Sequence, residues 1–142
     1  MLIAAIVCNC LAGVLFLVGA AKYGRGPVPL TYHKLILEKE GTTLSAGQKL
    51  ILRAIYRALG GAMLAIGLLI IAISLGPVRS GELWAEVALL LAGAGFVSGS
   101  YFTPRGVEEA TGVQTPWRLA LLLGGLLPVS YTHLTLPTTR QR

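Results

Sequence analysis

Tyr32 and His33 stand side by side in a polar stretch of the chain, with Glu38 and Glu40 one to two helical turns beyond them. A histidine with carboxylates in reach is the chemistry of a proton relay or of a weak metal site, because imidazole changes charge near neutral pH and can ligate through either ring nitrogen. The metal reading lacks support in the spacing. The sequence holds two histidines, His33 and His133, with no H-x-x-x-H and no clustered cysteines. Cys8 and Cys10 are separated by one residue rather than the two of a C-x-x-C motif, and they sit inside an apolar run. On a helix such a pair lies about 200° apart, which argues against a disulfide between them and against a thiol oxidoreductase. No catalytic residue, metal or cofactor is therefore expected.

Charge offers a second chemistry. Lys49, Arg53 and Arg57 recur at i, i+4 and i+8, which places them on one helical face. Such a stripe can bind an anionic ligand, a lipid headgroup or an acidic partner segment. It is also the plain anchor of a membrane helix, whose long cations snorkel to the phosphates. Arg57 is the deepest of the three and directly precedes Gly60 and Gly61, where a neighbouring helix can approach closely. Glu38 or Glu40 is the expected counter-ion, because an ionisable group near hydrocarbon is costly unless paired or hydrated. The binding candidates are thus Tyr32, His33, Glu38, Arg53 and Arg57.

The elements that position these residues follow from composition. The chain of 142 residues has room for one domain, yet it is 54% hydrophobic and 13% charged, with a mean hydropathy of +0.71. Ordinary domains carry about 25% charge, so a soluble enzyme, a disordered regulator and a secreted disulfide scaffold are all excluded. An all-α, multi-pass membrane protein remains. A helix needs about 20 apolar residues to cross the hydrocarbon, and segments 2–21, 54–75 and 83–102 meet that length. A fourth, 116–128, is a span cut short. A cleaved signal peptide ending near Val18, Gly19 and Ala20 is the alternative for the first segment, but it has no basic n-region and its apolar run is long. The expected architecture is an up-and-down four-helix bundle with a truncated fourth helix.

Punctuation sets the expected boundaries. Gly24, Gly26, Pro27 and Pro29 end the first helix, Gly76 and Pro77 close the second, and Thr103, Pro104 and Gly106 end the third. In the first loop Thr31 is expected to cap a short helix stopped by Gly41, which can lie flat at the headgroups. Ser45 and Gln48 form a capping box for a helix that runs on into the second span. Among small residues, Gly95 and Gly99 make a G-x-x-x-G, Gly61 and Ala65 a related pair, and Gly60 and Gly67 lie seven apart. These are read as packing faces within the monomer, with a homo-oligomer seam as the alternative. Asn9 is expected to hydrogen-bond between helices, and Glu86, with Glu82 on the same face, to sit on an outward-facing rim.

Orientation follows from the basic residues. Seven of them, Lys22, Arg25, Lys34, Lys39, Lys49, Arg53 and Arg57, lie from the end of the first span to the first turn of the second. The positive-inside rule puts that loop in the cytoplasm and the amino terminus outside. The positive charge is therefore a topology signal, and no nucleic-acid partner is expected.

Residues 129–138, VSYTHLTLPT, resemble the translation of a transposase adapter used in sequencing libraries. The native reading is expected to end near Pro128, with 129–142 a non-native tail. Without Arg140 and Arg142 the formal charge falls from +6 to +4. The stretch YHKLILEKEGTTLSAGQKLILRAIYRALGGAMLAIGLLIIAI resembles uncharacterised small bacterial inner-membrane proteins with four helices, and the topology is loosely similar to DoxX-like proteins. That resemblance implies a location and a fold, and no reaction. The expected function is a non-enzymatic accessory or scaffold protein of the bacterial inner membrane, whose basic loop meets anionic headgroups or a membrane-protein partner. The alternative is a small transporter or membrane-bound redox protein with a polar site at the inner boundary. A water-filled cavity joining His33 to Arg57 would favour the alternative, and tight glycine-lined packing the first reading.

Overall fold

The computed structural model describes residues 2–126, so the expectations placed on 127–142, including the end of the fourth span and the adapter-like tail, lie outside the described residues. The described chain is all-α, with no strand among its residues. Its helices are α1 (Leu2–Arg25), α2 (Thr31–Lys39), α3 (Ala46–Ile73), α4 (Leu83–Thr111) and α5 (Trp117–Leu126). A π-helical turn over Ser74–Val78 prolongs α3. Three helices are long and apolar enough to cross a membrane: α1, α3 with its π turn, and α4.

The amino end of α3 is closed as the sequence predicts. Ser45 Oγ accepts from the Gln48 N–H at 3.2 Å, and Gln48 Oε1 accepts from the Ser45 N–H at 2.9 Å. From there the helix runs without a break for 33 residues, about 50 Å at 1.5 Å per residue. Gly76 and Pro77 do not close it. Pro77 has no N–H to give to the previous turn, and the ladder responds by widening into the π turn. Ser74 Oγ meanwhile donates to the Ile70 carbonyl at 2.6 Å. The chain then reverses over Arg79–Glu82, with Gly81 at φ +79°.

The carboxyl end of α4 departs further from expectation. Thr103, Pro104 and Gly106 do not stop the helix, which continues to Thr111 and ends at Gly112 with φ +67°. Pro104 removes one ladder bond, but the turn that follows ties the last two helical turns down from outside. Thr115 Oγ1 donates to the Pro104 carbonyl at 2.8 Å, and Glu108 Oε2 accepts from the Thr115 N–H and from Trp117 Nε1, each at 2.9 Å. Through those bonds Glu108 caps the start of α5. Arg118 adds an ion pair at 3.7 Å. Lys39 of α2 donates to the Thr111 carbonyl, joining the first loop to the same corner.

Close packing is concentrated between α1 and α3, the largest helix-to-helix interface in the chain. The buried residues of α1 are Ala5, Asn9, Ala12, Gly13, Phe16 and Ala20, and those of α3 are Tyr56, Gly60, Met63, Gly67 and Ile70. Steps of three and four residues keep one seam facing its partner along both helices. A Cβ at Gly60 would stand 2.9 Å from the Gly24 nitrogen and 3.0 Å from the Ala20 carbonyl oxygen; one at Gly67 would stand 2.9 Å from the Gly13 oxygen. Both contacts are backbone to backbone. By contrast, a Cβ at Gly61, Gly95 or Gly99 would meet nothing within 4 Å. The monomer's tight seam therefore belongs to Gly13, Gly60 and Gly67, and the expected intramolecular faces at the other three glycines are not formed within the described chain.

Phe16 carries the core outward from this seam, meeting Phe96 of α4 edge-on at 4.5 Å between ring centroids. Val78, Ala85, Leu89 and Leu123 complete the buried cluster. Leucine, isoleucine and valine side chains such as Ile3, Val18, Leu68, Leu69 and Leu91 point away from it and stay exposed, as lipid-facing residues do. Replacing Gly60 or Gly67 by isoleucine should force the backbones apart at a cost of about 1–3 kcal/mol, read as a lower melting temperature in detergent. Gly95→Ile should leave the melt of the monomer unchanged; equal losses at all three positions would contradict this packing.

Candidate functional site

The approach of Gly60 to α1 decides what lies one turn away. It brings the carboxyl end of α1 and the following Gly26–Val28 segment against the first turns of α3, leaving a half-open cleft of ≈ 410 Å³. Tyr23, Gly24, Arg25, Gly26, Pro27, Val28, Arg53 and Arg57 line it. Arg53 and Arg57 come from successive turns of α3 and Arg25 from the end of α1, so three guanidinium groups border one opening. Among the described residues, no carboxylate lies within ion-pairing distance of any of them. Glu38, the expected counter-ion of Arg57, instead pairs with Lys34 at 3.4 Å on the exposed side of α2.

A cluster of rings adjoins the cleft. Tyr56 is the α3 residue one turn before Gly60, and its buried hydroxyl is bonded to His33 Nδ1. The same hydroxyl accepts from the Leu30 N–H at 3.4 Å. Tyr23 stands edge-on to Tyr56 at 5.6 Å, His33 stacks on Tyr56 at 5.6 Å, and Tyr32 lies against His33 at 3.8 Å. Burial lowers the pKa of His33 from its ordinary value. Burial also raises the phenol of Tyr32 above the ordinary tyrosine range, with Tyr23 and Tyr56 alongside adding to the effect. Both shifts favour the neutral forms of His33 and Tyr32.

Placement of α2 depends on this cluster. Thr31 does not cap it: the residue before the helix is Leu30, with no side-chain cap bond. Leu30 is buried and its N–H is held by Tyr56 instead. Gly41, at φ +63°, follows the end of the helix as the sequence predicts.

Of the five candidates read from the sequence, the structure brings Tyr32 and His33 together in the ring cluster and Arg53 and Arg57 together in the cleft. Tyr23 touches both groups, while Glu38 stands apart from each. Sequence reasoning did not select Arg25, Tyr23 or Tyr56 as site residues. For Tyr56 a signal existed, since it lies four residues before Gly60 and continues the seam of Gly60 and Gly67. Arg25 carried no such signal, because its position depends on the Gly60 contact that brings the end of α1 against α3.

Comparison with protein-family models, with curated proteins and with solved structures finds no match. The chemistry of the site must be read from its geometry. Three permanent cations border an open cleft beside neutral rings, and no three metal-ligating side chains converge among the described residues. The arrangement can hold an anion. It offers no activated nucleophile next to one.

The titration of His33 has a definite sign. Its folded pKa lies below the unfolded value of about 6.5, so its contribution to stability is complete above that value and is lost as the pH falls through the folded pKa. The melting temperature should therefore drop between pH 7.5 and pH 5, and His33→Gln, which keeps an acceptor but does not titrate, should flatten that drop. Tyr56→Phe should cost about 1–2 kcal/mol at pH 7.5. An unchanged pH profile in His33→Gln would remove the histidine from this account.

Proposed function

We propose that the chain is a multi-pass protein of the bacterial inner membrane that works without catalysis, as an accessory or scaffold subunit whose cytoplasmic end holds the phosphate of an anionic lipid headgroup. The cleft bordered by Arg25, Arg53 and Arg57 carries this reading, because three guanidinium groups without a carboxylate partner call for an external anion. In the proposed topology α1, α3, α4 and α5 are the four members of a bundle and the amino terminus faces outward. The concentration of seven basic residues from the end of the first span to the first turn of the second supports that orientation. It places the cleft at the depth of the inner-leaflet headgroups.

The glycine-lined seam between α1 and α3 supports the scaffold reading over a small transporter or redox protein. Among the described residues, the cleft that includes Arg57 does not include His33, which favours the first reading. A membrane-protein partner or a second copy would meet the protein through its lipid-exposed faces, leaving the cleft free.

Native mass spectrometry of the detergent-solubilised protein with added phosphatidylglycerol and phosphatidylcholine tests the headgroup. Selective retention of the anionic lipid is expected. Each basic residue contributes about 1 kcal/mol at a membrane surface, so Arg53→Gln with Arg57→Gln should weaken retention by about 30-fold. Equal retention of both lipids, or no loss in the double variant, would sink the proposal.

A further inference from the structure

At the opposite end of α1 and α3 the core contains two polar side chains that the cleft does not use. Asn9 of α1 is fully buried and Glu86 of α4 is 2% exposed. Among the described residues, neither the carboxamide of Asn9 nor either carboxylate oxygen of Glu86 has a hydrogen-bond partner. Glu86 was expected on an outward-facing rim beside Glu82. Only Glu82 is there, exposed and bonded to Trp84 Nε1. Glu86 follows Ala85 and precedes Leu89, and both are members of the central buried cluster.

The helix register brings the two residues to one layer. Gly60 faces Ala20 and Gly24, and Gly67 faces Gly13 and Phe16. Carried one further turn in the same antiparallel sense, that register sets Asn9 opposite Ile73 and Ser74, where the π turn begins. The π turn in turn packs on both α1 and α4, and the short reversal after it returns the chain to Glu86 within the first turn of α4. Widened helical turns of this kind recur where a helix must present a site. Buried Ser74, whose hydroxyl donates to Ile70, still has an oxygen lone pair in this layer.

A buried carboxylate without a cation is costly, and a buried carboxamide without partners adds to the cost. No lysine, arginine or histidine nitrogen pairs with Glu86 among the described residues. The titratable groups nearest along the packed elements are Arg79 and Glu82 in the exposed reversal and the half-buried Cys8 and Cys10 on either side of Asn9. Among the described residues nothing supplies the balancing charge. We propose that Asn9 and Glu86 form a buried site for a monovalent cation, a proton or an alkali ion, in which Glu86 supplies the charge and Asn9 a neutral oxygen. The site is independent of the arginine cleft, which lies at the other end of the same helices and selects the opposite charge.

Dicyclohexylcarbodiimide, which modifies protonated carboxyl groups in apolar surroundings, tests this on the purified full chain in detergent, with the modified residue located by peptide mass spectrometry. At pH 7 Glu86 should be labelled in preference to exposed Glu38, Glu40, Glu82 and Glu109. If an alkali ion is the occupant, replacing choline chloride by sodium chloride should suppress labelling at least fivefold, and Asn9→Leu should raise the sodium concentration needed by at least tenfold. If a proton is the occupant, labelling should ignore sodium and fall as the pH rises. Glu86→Gln should still fold and should lose the corresponding sodium or pH dependence of the melting temperature. Absence of selective labelling, labelling indifferent to both sodium and pH, or a Glu86→Gln melt with the parental dependence would each overturn the proposal.

Discussion

The backbone contact of α3 with α1 at Gly60 and Gly67 is the constraint from which the remaining geometry follows. Lipid is as apolar as the leucines it would replace, so two helices gain little by hiding apolar side chains from it. They gain by bringing many atoms into van der Waals range, and only glycine lets the backbones come close enough. Gly60 meets the backbone of Ala20 and Gly24, while Gly67 meets Gly13. Tyr56 and Arg57 are placed by the same contact, one turn or less away. So is Phe16, which reaches across to Phe96 of α4.

The polar ends of the protein are built on different lines. At the end with the cleft, separate segments are tied by directional bonds: Tyr56 holds Leu30 and His33, Lys39 reaches the last carbonyl of α4, and Glu108 gathers Thr115, Trp117 and Arg118. Each of these links joins residues far apart in the chain or across a turn. Among the described residues, the other end has the short, exposed reversal Arg79–Glu82, and three polar side chains there are taken inward, Asn9, Ser74 and Glu86.

Much of the fold could be read from the sequence because local chemistry determines it. The capping box at Ser45 and Gln48, the stop at Gly41 and the three apolar spans depend on neighbours within a few residues or on length alone. The spacing of Gly60 and Gly67 also pointed to a seam. What escaped is what depends on facing. In a span that is apolar all round, periodicity does not tell lipid from protein, so the G-x-x-x-G of Gly95 and Gly99 read like the seam of Gly60 although it meets open space. Glu86 read as a rim residue for the same reason. Pro104 read as a stop because the bonds that carry α4 past it come from Thr115, eleven residues on. The site was half legible: Tyr32, His33, Arg53 and Arg57 were recognisable by type and spacing, whereas Arg25 and Tyr23 enter only because the Gly60 contact brings the end of α1 against α3.

Arginine and histidine play distinct parts at the cleft, and their separation bears on what the cleft can be for. A guanidinium keeps its charge throughout the range of pH a cell meets, so the affinity of three arginines for a phosphate does not vary with protons. A histidine in the lining would make binding pH-dependent. His33 is instead withdrawn behind Tyr56, where burial keeps its ring neutral and its titration acts on the docking of α2. Tyr23, shared by the cleft and the ring cluster, connects the two. In the proposed function, binding at the arginines and anchoring of the loop are subject to different controls, the first to ionic strength and the second to pH. That division suits a protein that keeps a constant grip on the membrane surface better than one that cycles between loaded and empty states.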